Sequence, residues 1–162
     1  MKAIFAGTFD PFTLGHKDIT ERAAHVFGDV VVAVAEDTGK NSMPLDIRLK
    51  IAEQAIHGIK GASVTPFKGL LSEFAKGQGE CVLVRGIRNS RDMEYEREHA
   101  RIYRSLCGAD TMCFMTAAAY EHVSSTAVRE LAALDGELSG YVAPNTEDII
   151  KKTYAVRNKG EL

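Results

Sequence analysis

The residues VVVAVA at 30–35 constrain the fold more than any other stretch. Six consecutive small or β-branched apolar residues leave no polar face, so a strand built from them is covered on both sides. Sheets buried on both faces are parallel sheets with helical crossovers. The rest of the sequence supplies both parts. Residues 2–7 (KAIFAG), 63–67, 80–85 (ECVLVR) and 111–115 (TMCFM) read as further strands. Stretches at 15–27, 45–56, 69–76, 92–106 and 125–134 read as helices. The first carries Ile19, Ala23, Val26 and Phe27 on one face, the second Leu45, Leu49, Ala52 and Ile56. A last helix is expected over about 145–157, capped by Asn145 with Asp148 three residues on. Five strands alternating with helices predict a single α/β domain over 1–162. Its expected architecture is a doubly wound, Rossmann-like, five-stranded parallel sheet flanked by helices.

Charge narrows the ligands. Twenty Lys and Arg against 22 Asp and Glu leave a net charge of −2, so no global basic field draws nucleic acid or an anionic membrane. Any anion bound here must be met by a few local groups. Cys81, Cys107 and Cys113 are odd in number and form no CxxC, which argues against a disulfide framework and a structural zinc site. The opening MKAIFAGTFDP has no apolar stretch of signal-peptide length, and no run approaches the roughly 20 apolar residues of a membrane span. A cytoplasmic protein with packed thiols is expected.

In an open parallel sheet, ligands bind beyond the carboxyl ends of the strands, near the switch in strand order. The residues expected there suit anions. After the first strand comes TFDPFTLGH, in which Gly15 and His16 open a helix. The unpaired N–H groups of a helix start favour phosphate, glycine allows close approach, and His16 brings a ring N–H. Thr8 stands at the strand tip and Lys40 in the loop after the second strand. Arg85 and Arg88 flank Gly86 after the fourth strand. Their forks match phosphate oxygens, with salt bridging to Asp92, Glu94 or Glu96 expected for one arginine rather than both. Ser124, Ser125 and Thr126 start another helix, as a plain N-cap and a second phosphate seat. His25, His57 and His99 read as structural, and His122 adjoins the second seat. There is no GxxxxGKS/T phosphate loop, no Ser–His–Asp set and no metal-ligand cluster in the sequence.

The segments AGTFDPFTLGH, VRGIRNSRDMEYE and HVSSTAVRE, with Lys40 between the first two, resemble the bacterial phosphopantetheine adenylyltransferases in order and spacing. TxGH alone marks the wider nucleotidyltransferase superfamily, and the RGIR…EYE segment narrows it. The resemblance implies transfer of AMP from ATP to 4′-phosphopantetheine, giving dephospho-coenzyme A and pyrophosphate by direct in-line displacement. It implies catalytic roles for His16, Lys40, Arg88 and Thr8. It places Thr8, Phe9, His16, Gly86, Ile87, Arg88, Glu96, Tyr120, Glu121, His122, Val123, Ser124, Ser125 and Thr126 at ATP, and Thr8, Lys40, Leu71 and Arg85 at the pantetheine substrate. It further implies Mg²⁺, a homohexamer and feedback inhibition by coenzyme A. Ala6, His122 and Thr126 depart from the usual pattern of that family. The alternatives are nicotinamide mononucleotide adenylyltransferase, glycerol-3-phosphate cytidylyltransferase, or a non-catalytic nucleotide or coenzyme A sensor on the same fold.

Overall fold

The computed structural model describes residues 1–36 and 43–158. Its five strands are β1 (Lys2–Gly7), β2 (Val30–Ala35), β3 (Ala62–Phe67), β4 (Cys81–Ile87) and β5 (Asp110–Met115). They form one sheet in the order β3-β2-β1-β4-β5, with every pairing between neighbours parallel. The crossovers are α1 (Leu14–Phe27), α2 (Leu45–Ile56), α3 (Leu71–Gly77) and α4 (Ser90–Cys107), and α5 (Ser125–Ala133) and α6 (Glu147–Asn158) follow β5. The predicted doubly wound α/β sheet is the observed one.

The pleat divides the core as the VVVAVA run requires. Val30, Val32 and Val34 point to one face, with Ala3, Phe5, Val82 and Val84, and are covered by α1, α2, α5 and α6. Val31 and Ala33 point to the other, with Ile4, Ala6 and Leu83, against α3 and α4. The two layers are unequal. Helix α4 contributes no fully buried residue, and Met93, Tyr95, Ile102 and Leu106 on it are exposed.

Three local expectations are corrected. Strand β4 continues through Ile87, so Arg85 is an interior strand residue rather than the last one, and Gly86 lies within the strand rather than after it. Their pairing with Cys113 and Phe114 of β5 extends the ladder past the apolar run. Asn145 does not cap the last helix. It sits in a 3₁₀ turn, Pro144–Thr146, and its side-chain amide donates to the carbonyl of Gln54 at 2.9 Å. The buried stripe of α2 is Arg48, Ile51, Ala52, Ala55 and Ile56, whereas Leu45 and Leu49 are only half-buried.

One turn sets how closely α1 and α2 return to the sheet. Gly61, before β3, has φ 82°, and a Cβ there would lie 2.2 Å from the carbonyl oxygen of Gly28. Its own carbonyl accepts from Val30 N at 2.8 Å. Gly61→Ala therefore combines a left-handed φ with a backbone clash and is expected to cost about 3 kcal/mol or more. Urea denaturation measures this, and a loss below ~1 kcal/mol, the size of an ordinary surface change, would contradict the packing described.

Candidate active site

Strand β1 pairs with β2 on one side and β4 on the other, and the chain leaves β2 and β4 in opposite directions. A cleft of about 750 Å³ opens at the carboxyl ends of β1 and β4, within the range of small-ligand sites. Its walls come from the turn after β1, the start of α1, the ends of β4 and β5, and the segment leading into α5.

Helix α1 starts at a capping box closed by His16. Thr13 is the N-cap, and its backbone N–H donates to Nδ1 of His16 at 3.0 Å, while the Thr13 side chain accepts from His16 N. A Glu or Gln usually makes this reciprocal bond. Using a histidine fixes the tautomer: Nδ1 is the acceptor, so in the neutral ring Nε2 carries the proton. The rings of Phe5, Phe9 and Phe12 surround the imidazole at centroid distances of 6.0, 5.1 and 5.3 Å. This burial first, and the positive charge of Arg88 second, lower the pKa of His16 from 6.5 to about 4. At neutral pH the ring is an uncharged donor. Gly15, beside it, is not demanded by protein packing, because a Cβ there would meet its neighbours at 3.7 Å or more. The space it leaves lies in the cleft wall.

Three arginines line the same cleft. Arg85, from β4, pairs through Nε with Glu96 at 3.0 Å and donates from Nη1 to the carbonyl of Ala6 at 2.7 Å. Arg88 donates from Nε to Asp92 at 3.0 Å, and its backbone N–H reaches the same oxygen. Both arginines are salt-bridged, where pairing of only one was expected. The contacts are anchors as much as neutralisation, since each guanidinium is held in place at the cleft wall. Arg129, from α5, donates to the carbonyl of Asp10 at 2.8 Å and to Oγ1 of Thr126 at 3.0 Å. Ser124 caps α5 by accepting from Ala127 N, and Ser125 donates to the carbonyl of Pro11 at 2.9 Å, which ties α5 to the turn after β1.

Of the residues predicted for the site, Thr8, Phe9, His16, Arg85, Gly86, Arg88, Glu96, Tyr120, Val123, Ser124, Ser125 and Thr126 line this cleft. Others are placed elsewhere. Ile87 is 1% exposed, its side chain in the core, and its carbonyl accepts from Thr116 N. Glu121 and His122 are exposed outside the cleft lining, and the His122 ring packs edge-on to Tyr141. Leu71 begins α3 and packs on the second core cluster. Lys40 lies outside the described residues. Asp10, Thr116 and Arg129, none of them a predicted site residue, also stand in the cleft wall, and Arg48 is buried behind it. Arg48 donates to the carbonyls of Met43, Thr8 and Ala35 at 3.0, 2.8 and 2.8 Å. Burial lowers its pKa, with the charge of Asp10 opposing. The signal for Arg48 was its phase: it falls on the stripe of Ile51, Ala52 and Ala55.

Residues 4–131 match the cytidylyltransferase-like family. The chain is 40% identical, over 99% of both chains, to a phosphopantetheine adenylyltransferase of Nitrosomonas eutropha. It is 37% identical to one of Deinococcus radiodurans, over 96% of this chain and 95% of that one. The chain belongs to the phosphopantetheine adenylyltransferase family. A solved structure of a Vibrio parahaemolyticus protein, assigned as a nicotinate-nucleotide adenylyltransferase, superposes with TM-score 0.70 at 19% identity. It covers 99% of this chain and 93% of its own, and at that identity the likeness is one of fold. Members of this family are nucleotidyltransferases, and the cleft has the donor set for a polyphosphate.

The state of His16 has a pH consequence. Above pH 6.5 the ring is neutral in folded and unfolded chains alike, and the stability due to its burial is fully present. As pH falls from 6.5 toward 4 the unfolded chain takes up the proton first, so that stability is lost through this window. Wild type should therefore lose more stability between pH 7 and pH 5 than His16→Gln does, by urea denaturation at both values. An NMR titration of the His16 ring with a midpoint above pH 6 would contradict the assignment.

Proposed function

We propose that this chain transfers the adenylyl group of ATP to 4′-phosphopantetheine, giving dephospho-coenzyme A and pyrophosphate. The observation that carries the reading is a neutral imidazole donor, its tautomer fixed by Thr13, in a cleft lined by three arginines. Family membership supplies the pair of substrates.

The nucleophile is a phosphate monoester, already anionic near neutral pH, so the reaction needs no general base. Its oxygen forms a bond to the α-phosphorus as the bond to pyrophosphate breaks. Negative charge grows on the bridging and non-bridging oxygens, and catalysis is placement and charge stabilisation. Nε2–H of His16 donates to an α-phosphate oxygen. Arg88, held by Asp92, grips phosphate through its terminal nitrogens, and Thr8 orients the attacking phosphate. Lys40 joins them on the strength of the family motif alone. The nearby Cys113 thiol is held protonated by burial and by Glu96, against the pull of Arg85, which suits a reaction without an enzyme nucleophile.

Magnesium is a different matter. Among the described residues no group of three His, Cys, Asp or Glu side chains stands ready for a metal ion. The cleft carboxylates are engaged, Asp10 with Met43 N and Glu96 with Arg85. The residues present do not form a protein cage, and magnesium commonly enters with substrate phosphates. Magnesium thus belongs to the nucleotide substrate rather than to a site of this protein.

Assembly into a homohexamer is proposed on the family pattern. It is supported by the exposed apolar side chains of α4 together with Met112 and Met115 of β5, a surface a second copy can cover. Feedback by coenzyme A is proposed on the same pattern, as a ligand that shares the product's pantetheine arm. Among the described residues no helix is long and apolar enough to cross a membrane. The three cysteines are free thiols, which supports a place in the reducing cytoplasm.

The test is pyrophosphate release that requires both ATP and 4′-phosphopantetheine, with dephospho-coenzyme A as product. Release with either substrate alone, or a different acceptor, would overturn the reading. His16→Ala should lower kcat by about 10²–10³-fold while the protein stays folded and binds ATP. Activity within a few fold of wild type would remove His16 from the chemistry. Arg88→Ala should reduce kcat by a similar order and leave the urea midpoint nearly unchanged, because its guanidinium is at the surface.

A further inference from the structure

The turn after β1 brings Thr8, Phe9 and Asp10 to the cleft, and it is not self-supporting. Phe9 has φ 48°, the left-handed region that bulky residues avoid. Such a conformation persists only where the surroundings over-determine it. Here they do so from both sides. Before Phe9, Nη1 of Arg48 donates to the carbonyl of Thr8 at 2.8 Å and also to that of Ala35, the last residue of β2. After Phe9, Oδ1 of Asp10 accepts from Met43 N at 2.9 Å, and Nε of Arg48 donates to the carbonyl of Met43 at 3.0 Å.

Arg48 is 1% exposed. It occupies a slot in the buried stripe of α2 where an aliphatic residue would avoid the cost of desolvating a guanidinium. No described residue of α2 lines the cleft. What the arginine provides is a rigid fork that reaches carbonyls on three separate segments, which neither lysine nor an aliphatic side chain can do.

We propose that Arg48 is a positioning residue for adenylyl transfer. From α2, outside the cleft, it fixes the backbone of Thr8 and, with Asp10, locks the turn that carries Thr8 and Phe9, so that phosphate meets a preformed wall. The kinetic half of this inference rests on the adenylyl-transfer reading. The structural half does not.

Arg48→Lys keeps the charge and loses the fork. Two readouts apply: steady-state kinetics with ATP and 4′-phosphopantetheine, and amide hydrogen exchange by mass spectrometry on the full chain. The expected result is a kcat at least 30-fold below wild type with KM for ATP within threefold. Exchange in a peptide covering residues 5–12 should be at least tenfold faster, with α6 unchanged. A kcat within threefold of wild type overturns the proposal. So does a uniform acceleration of exchange with kcat and KM for ATP worsening together, the pattern of a merely structural residue. If Arg48→Lys does not fold, Arg48→Gln, which keeps a donor for one carbonyl, takes its place under the same criteria. A wild-type chain that makes no dephospho-coenzyme A sinks the functional reading, and the exchange pattern alone then decides. Local acceleration supports the clamp, and uniform acceleration or none overturns it.

Discussion

Everything in the cleft depends on β1 being hydrogen-bonded in parallel to β2 on one side and β4 on the other. Parallel neighbours require crossovers, and those serving the two sides of β1 cover opposite faces of the sheet. The chain therefore parts at the carboxyl end of β1 and leaves a crevice that no crossover fills. The TFDPFTLGH turn enters it from one side and the arginine-bearing end of β4 from the other. The cleft between them is lined by the first residues of α1 and α5 and by three arginines, in a protein whose net charge is −2. Attraction for anions is built locally, from anchored groups.

Anchoring is the common theme of those groups. Arg85 is held by Glu96 and the Ala6 carbonyl, Arg88 by Asp92, and Arg129 by the Asp10 carbonyl and Thr126. An oriented cation costs little reorganisation when charge develops beside it, which is the physical content of electrostatic preorganisation. His16 takes the opposite route. Its aromatic surroundings strip its water and keep it uncharged, while the helix cap decides which nitrogen bears the proton. A neutral donor among cations adds direction where more positive charge would add mainly repulsion.

How much of this was legible in the sequence follows from which physical effects act locally. β2 was readable because its burial on both faces removes every polar position. The TxGH motif was readable because a helix start shows itself in a few adjacent residues. The end of β4 was not, since Gly86 and Ile87 look like a loop until β5 supplies the ladder that extends the strand over them. Arg48 was missed because a charged residue in an amphipathic helix reads as solvent-facing, and its three carbonyl partners come from segments distant in sequence. Asn145 was misread because Pro144 turns the chain through a 3₁₀ turn before α6, and its amide found Gln54 instead of a helix end. Local capping and periodicity are visible in one chain segment, while partners across the fold are not.

The central claim is that adenylyl transfer in this cleft is one displacement, driven by placement and anchored donors, with no group of the protein bonded to the nucleotide at any stage. Its most direct test uses ATP carrying a single stereoisomer of sulfur-for-oxygen substitution at the α-phosphorus, with the configuration of the dephospho-coenzyme A thio analogue determined by phosphorus NMR. One in-line displacement predicts inversion at that phosphorus. Retention would require two displacements, hence an adenylylated side chain, and would contradict the account.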